Sequence, residues 1–476
     1  MQFNSYSYLL CLALAVTAFW LLPVRFRRVY VLALSLAFYA TWNPFLVFLP
    51  LGICAVTYGF AKIIRREPTK SRWALRTAIG IVILVLAVGK YRGFVVENLG
   101  YVLPWIRQHP LPAALIVGMP LGISFYSFEA ISYLVDARQK RTGSANLLDL
   151  ALFIMFWPHL IAGPIVRSRE LIPQLKFDRP FERHFLLVGL DRVLWGLIQK
   201  NLIANNIGPW VDDGFLSRIA ALNTTADNWF LAIAFGLQIY YDFAAYSNIA
   251  IGTSRLIGIT LPENFRFPYH AVTPADFWSR WHMTLSRWIR DYVFFPLNAG
   301  FADAKCRLYV TLVLVMGIVG LWHGAGWGFV VWGLMHGVYL AFYRMLQSNP
   351  GETRRQFLVP FIWRGFTIIA VIAAWIPFRA ATLGQAGTML SSMFWRVTPG
   401  ISYSVNFYLL TILFCVFTAV EPYLARAVKW FDETGQRHPA VARVASEVLR
   451  PVVYAVFLLF FLMFDDRDTQ FIYFQF

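Results

Sequence analysis

Apolar stretches follow one another along almost the whole of this chain, many close to the ~20 residues that cross a bilayer as a helix. They run near 6–23, 29–42, 44–62, 77–96, 113–135, 147–165, 185–206, 228–251, 308–322, 327–347, 357–378, 404–423 and 449–465. Trp42-Asn43-Pro44 divides the second from the third. This is the pattern of a polytopic membrane protein with roughly eleven to thirteen elements, some of them incomplete spans. Composition agrees: 58% of residues are hydrophobic and only 14% charged, whereas soluble chains carry roughly 25% charge. A cytosolic enzyme, a disordered tail protein and a disulfide-stapled secreted module are excluded.

The excess of 42 Lys+Arg over 25 Asp+Glu does not point to nucleic acid. The cations sit between apolar runs, as the positive-inside rule expects. Arg25, Arg27 and Arg28 follow the first run. Lys62, Arg65, Arg66, Lys70, Arg72 and Arg76 come two crossings later, and Arg138, Lys140 and Arg141 two crossings after that. All three clusters therefore face the cytoplasm, with the N-terminus outside. No Lys or Arg precedes the first run, so it reads as a span rather than a cleaved signal. The four cysteines form no C-x-x-C, and three lie in apolar runs as small hydrophobes. No internal repeat is visible. We expect one integral domain over 1–476: N-terminal helices 1–135, a core 136–347 with an interfacial helix at 276–292, and C-terminal helices 348–476.

Two segments carry chemistry. In FWSRWHMTLSRWIRDYVFFPL (277–297), Trp278, Trp281, Leu285, Trp288 and Tyr292 recur at three- and four-residue spacing, one stripe of a helix. Arg280, Arg287 and Asp291 fall opposite. The spacing predicts an amphipathic interfacial helix with aromatics in the acyl boundary and arginines toward headgroups. His282 lies about 90° from the stripe's centre. In GIVGLWHGAGWGFVVWGLMHG (317–337), His323 and His336 lie in apolar sequence, where an ionisable group is costly and functional by default. An unbroken helix would set them about 20 Å apart. Gly324, Gly326 and Gly328 instead predict a backbone break after His323, tolerated at membrane depth where it lines a cavity. His323 is thus the candidate for chemistry and His336 the candidate for packing. Other polar residues in apolar sequence are Glu129, Asp136, Asp242, Asn248 and Glu421. The stretch YYDFAAYSNIAIG (240–252) reads either as the lining of a polar tunnel or as interhelical hydrogen-bonding glue.

Several motifs are missing. There is no G-x-x-x-x-G-K-[ST], G-x-S-x-G, H-x4-D or H-E-x-x-H. GAGWG (324–328) follows no strand. One D-x-D, Asp466-Arg467-Asp468, sits at the far C-terminal end, unlike the early outer loop where a glycosyltransferase would carry it.

The stretches GISFYSFEAISYLVD (122–136), HLIAGPIVR (159–167), LQIYYDFAAYSNIAIG (237–252), LPENFRFPY (261–269), FWSRWHMTLSRWIRDYVFFPL (277–297), GLWHGAGWGFVVWGLMHG (320–337) and FIYFQF (471–476) together resemble the membrane-bound O-acyltransferase family. The bacterial alginate O-acetylase branch is nearest, with the D-alanyl-lipoteichoic-acid transferase branch nearby. The resemblance implies an all-α ring of spanning and re-entrant helices around a central funnel. It implies acyl transfer from a thioester donor, acetyl-CoA or an acyl carrier protein, toward hydroxyls of an exported or wall polysaccharide, with no bound cofactor and no metal. It implies that His323 is the family's central histidine, as base or hydroxyl-orienting group. His282 is its second position, binding the thioester region or oxyanion, or supporting His323. Arg280, Trp281, Arg287, Arg290, Asp291, Trp322, Asp242 and Asn248 are candidate substrate- or donor-binding residues. A periplasmic serine-hydrolase-like (SGNH-type) acyltransferase partner and the bacterial inner membrane are implied too. The alternatives are D-alanyl transfer and a lipid-linked sugar transporter, the latter expected to show inverted repeats.

Overall fold

The computed structural model describes residues 3–105, 120–217, 223–298, 305–347, 358–437, 448, 450–464 and 471. The first part of the 113–135 run, residues 438–447, the D-x-D at 466–468 and residues 472–476 lie outside them. Among the described residues all regular structure is helical. The first five helices are α1 (Tyr6–Leu21), α2 (Val24–Ala40), α3 (Phe48–Arg66), α4 (Ser71–Leu86) and α5 (Arg92–Val102). A π-helical turn, Ala87–Tyr91, joins the last two into one long rod. Then come α6 (Ile123–Arg138), α7 (Leu147–Met155), α8 (Arg183–Ile198), α9 (Asn205–Asp212), α10 (Thr225–Leu256), α11 (Pro274–Trp278) and α12 (Met283–Ile289). The chain ends with α13 (Lys305–His323), α14 (Trp327–Gln347), α15 (Leu358–Arg379), α16 (Leu383–Phe394), α17 (Val405–Arg437) and α18 (Arg450–Phe464).

Among the described residues, five helical stretches are long and apolar enough to cross a membrane: Phe45–Arg66, Ser71–Val102, Trp327–Leu346, Pro360–Arg379 and Val405–Trp430. Exposed Leu, Val, Ile and Phe cover their outer faces. Such faces are stable only against lipid. The molecule is an all-helical polytopic membrane protein.

Three of the apolar runs are enclosed by protein instead. Helix α10 starts at a capping box, with the Thr224 hydroxyl on the Asp227 amide and the Asp227 carboxylate on the Thr224 amide. It is buried on nearly every face, as an all-round apolar helix must be. Helix α6 is likewise buried along almost its whole length. The run expected as a span at 147–165 stops being helical at Met155. Pro158 lacks the N–H that would continue the ladder and disfavours helix at Trp157. Residues 156–167 then run as buried irregular backbone. Ser35 Oγ accepts from Trp157 N (3.2 Å) and Thr284 Oγ1 from Ile165 N (3.0 Å). The His159 imidazole meets Glu129 at 3.0 Å, both buried. Irregular backbone survives at membrane depth only when its polar groups are met in this way.

The basic clusters gather on one side. Arg65 donates to the carbonyls of Thr142 and Gly143 at 3.0 and 2.8 Å. Arg28 pairs with Asp149, which opens α7 just after that loop.

Helices α13 and α14 make the most extensive pairing in the molecule. Glycine permits it: a Cβ on Gly333 would stand 2.2 Å from the Met316 carbonyl oxygen, and one on Gly320 2.1 Å from that of Phe329. Small residues let helix backbones touch where lipid offers no hydrophobic drive. The tight hairpin fixes the turn Gly324–Gly326 between them, and with it the place of His323.

Candidate active site

The chain between α10 and α11 is largely irregular, and Asn264 organises it. Arg266 N donates to Arg280 O (2.9 Å) and Met283 N to Asn264 O (2.8 Å). These bonds zip residues 264–266 onto 280–283. His282 between them adopts φ 41°, ψ 52°, a left-handed conformation that costs an ordinary residue ~1–3 kcal/mol and persists only when its surroundings impose it. The continuous interfacial helix expected at 276–292 is therefore corrected. The helix stops at Trp278, restarts at Met283, and becomes a π turn at Arg290–Phe294.

The second correction concerns its aromatic stripe. Trp278, Trp281, Leu285 and Trp288 are all buried in protein. Trp288 stacks on Phe128 at 4.0 Å and donates to the Phe128 carbonyl (3.0 Å). Trp281 packs among Phe277, Phe265 and Trp375. A stripe of this spacing serves a core as well as an interface, and the packing here is core.

His282 has no solvent exposure. Phe243 meets its ring edge-on at 4.7 Å, and Nδ1 lies 3.0 Å from Asn264 Oδ1. His323 closes α13 and is buried too. Its ring contacts Trp322 (4.8 Å), Trp332 (5.0 Å) and Phe378 (5.5 Å). The Trp322 indole stands beside both imidazoles, 6.1 Å from His282, and stacks on Phe128. The structure thus brings His282, Trp322 and His323 together, with His282 and Lys90 within electrostatic reach of His323. His336 is set back behind Trp332, 4.9 Å from its ring, and packs on Trp278 and Phe277.

A helix ends with four carbonyls that lack intrahelical donors. All four at the end of α13 are met. Gly324 N donates to Gly320 O (3.4 Å) and Tyr91 OH to Leu321 O (3.0 Å). Lys90 Nζ donates to Trp322 O (2.6 Å) and His323 O (3.0 Å). The π turn Ala87–Tyr91 makes this possible by presenting Lys90 and Tyr91 side by side; such turns recur at functional sites. Neither residue was singled out from sequence. The signal existed in Lys90, a lone lysine inside an apolar run.

The remaining candidates divide. Arg280 pairs with Asp276 (2.7 Å), Arg290 with Asp291 (2.9 Å), and Asp291 also with Arg167 (3.0 Å). Burial pushes the Asp276 carboxyl up, but bonds from Arg280, the Val272 amide and Ser279 hold it below its usual range. Arg287 is exposed. Asp242 does not line a tunnel: it is buried against Lys200 Nζ at 2.6 Å. Asn248 bonds Gln199 (2.6 Å) and does line a cavity of about 610 Å³. Its polar lining includes Gln199, Tyr240, Ser247, Asn248, Asn264 and Glu421, between apolar walls such as Trp195 and Phe417. The Arg192–Glu263 ion pair marks its exposed edge. Asn264 both faces this cavity and bonds His282. Among the described residues no three His, Cys, Asp or Glu side chains gather to hold a metal ion.

Comparison with known proteins gives the family. Residues 34–378 match the model of the membrane-bound O-acyltransferase family. The chain is 36% identical to the probable alginate O-acetylase AlgI of Azotobacter vinelandii, over 83% of this chain and 78% of that one. It is 33% identical to the peptidoglycan O-acetyltransferase of Helicobacter pylori, over 77% and 74%. Similarity to the teichoic acid D-alanyltransferase of Bacillus subtilis is 30%, over 48% and 60%. The chain belongs to the membrane-bound O-acyltransferase family and is an O-acyltransferase.

Proposed function

We propose that this protein transfers an acetyl group from a cytoplasmic thioester, acetyl-CoA or an acyl carrier protein, toward hydroxyls of an exported or cell-wall polysaccharide. The observation that carries the reading is the pair of buried imidazoles, His282 and His323, on either side of Trp322. Relatives named as alginate and peptidoglycan O-acetyltransferases support polysaccharide as acceptor and acetyl as the group moved.

In this mechanism an acceptor hydroxyl attacks the thioester carbonyl carbon. The C–O bond forms, the C–S bond breaks, and the hydroxyl proton passes through imidazole to the departing thiolate. A hydroxyl is a poor nucleophile at neutral pH, so a positioned proton acceptor lowers the barrier. His323 orients and deprotonates the hydroxyl, and His282, bonded to the cavity-lining Asn264, lies at the thioester side and passes the proton on to the departing thiolate. The aromatic walls around both rings exclude water, which protects the thioester from hydrolysis and strengthens each polar contact. The cavity bounded by Asn264 and Glu421 admits the donor arm. Arg280, Arg287 and Arg290 offer cations to its phosphates. The protein sits in the inner membrane with its N-terminus outside, its three basic clusters facing the cytoplasm. A periplasmic SGNH-hydrolase-like partner completes transfer to the polymer.

The test uses purified protein in lipid vesicles with radiolabelled acetyl-CoA and, separately, an acetylated carrier protein. Wild type consumes one of these thioesters, and folded His323→Ala loses turnover by at least about a hundredfold, the lower range for a positioned proton acceptor. Equal turnover in both proteins would overturn the assignment. Consumption of a D-alanyl carrier thioester alone would replace acetyl with D-alanyl.

A further inference from the structure

The hydrogen bonds around His282 fix which of its nitrogens carries the proton, and they do so through Asn264. A backbone N–H can only donate. Thr284 N points at the Asn264 side chain from 3.3 Å, so the atom it meets is the amide oxygen. Ile165 N donates to Thr284 Oγ1 (3.0 Å), which leaves the threonine hydroxyl hydrogen to donate onward to the same Asn264 oxygen, 2.8 Å away. On the other side the Asn264 NH2 group donates to Ser247 Oγ at 3.0 Å. The amide therefore has one orientation. Its oxygen faces His282 Nδ1 at 3.0 Å, and an acceptor facing a ring nitrogen at that distance requires N–H there. A neutral imidazole protonated at Nδ1 has its lone pair on Nε2.

We propose that Asn264 is a positioning residue that locks His282 as the Nδ1–H tautomer, so that Nε2 is the basic atom of this imidazole in the reaction. The proposal rests on the acyl-transfer reading only for its catalytic consequence. The proton on Nδ1 follows from the hydrogen bonds alone, and complete burial of the ring disfavours a second one on Nε2. Asn264 reaches His282 through its oxygen while lining the cavity proposed to admit the donor arm. It thereby joins the place where a donor binds to the orientation of a reacting group. The left-handed backbone of His282 serves the same end. The Met283 amide bonds the Asn264 carbonyl (2.8 Å) and Thr284 bonds its side chain, so one asparagine holds both the main chain and the ring of the histidine.

The first measurement is a ¹⁵N NMR spectrum of the histidine-labelled protein in lipid, with the His282 signals assigned by their loss in His282→Gln. The expected wild-type pattern is a protonated Nδ1 and an unprotonated Nε2. Asn264→Asp keeps an oxygen acceptor and keeps the pattern. Asn264→Leu loses it, and its kcat for thioester turnover falls about a hundredfold, the lower range for a positioned proton acceptor, with the donor KM little changed. Asn264→Asp recovers most of that kcat. A protonated Nε2 in wild type, or an Asn264→Leu protein with the wild-type pattern and kcat, overturns the proposal. Should the pattern hold while wild type transfers no acyl group from any thioester, the acyl-transfer reading fails and the tautomer assignment stands.

Discussion

Replacing Lys90 with methionine removes the cation that closes the helix ending in His323. The side chain keeps an unbranched apolar stem one atom shorter, but the carbonyls of Trp322 and His323 lose donors at 2.6 and 3.0 Å. A buried carbonyl without a partner costs about 1–3 kcal/mol, so two of them disfavour the closed last turn by about 2–6 kcal/mol. The lost attraction between the ammonium and the negative helix end adds up to about 2 kcal/mol. Against this, burying an ammonium costs several kcal/mol, and the methionine escapes that cost. Global stability therefore changes little, while the local turn loosens by about 3 kcal/mol. Since 1.36 kcal/mol is tenfold in rate, kcat for thioester turnover should fall about a hundredfold, with the thermal midpoint nearly unmoved. Hydrogen exchange at the Gly324 amide should quicken. Lys90→Gln keeps an NH2 donor without charge and should recover part of the loss. A Lys90→Met protein with wild-type kcat would refute the argument. A glutamine variant as inactive as the methionine one would shift its weight from hydrogen bonding to charge.

Two further substitutions test parts of the fold that the site depends on. Asp242→Asn takes the carboxylate from the buried Lys200 and should destabilise by ~3–5 kcal/mol, as broken buried pairs do; it should lower the thermal midpoint in detergent without a selective rise in donor KM. Gly333→Ala puts a Cβ 2.2 Å from the Met316 carbonyl oxygen, so α13 and α14 must part. We expect ~3 kcal/mol of destabilisation, at the upper end for overpacking, read as a lower midpoint together with lost turnover.

The parts of the site legible in sequence were those encoded locally. The break after His323 follows from three closely spaced glycines, and the helix does end there. The spans followed from length and apolarity. What periodicity misread was the partner of a face. Tryptophans three and four residues apart mark one side of a helix without saying whether lipid or protein lies against it, and here Trp281 and Trp288 meet Trp375 and Phe128. Nor does periodicity register a break imposed from elsewhere. The stripe from Trp278 to Tyr292 keeps its spacing through His282 although the helix does not, because Asn264, eighteen residues away, bonds the main chain at Met283.

The supporting residues were hidden for the same reason. Asp242 stood out as an acid in apolar sequence, but its meaning depended on Lys200, forty-two residues distant, aimed at it from the π turn Gln199–Ala204. Lys90 acts on carbonyls 232 and 233 residues further along. A charge at membrane depth announces that it has a partner, since none persists there without one. The partner itself is set by which elements touch: the π turn after α8 lies on α10, and the turn between α4 and α5 lies on the end of α13. The two histidines were readable as residues. Their placement depends on Asn264, which bonds the His282 ring, and on Lys90, which bonds the His323 carbonyl.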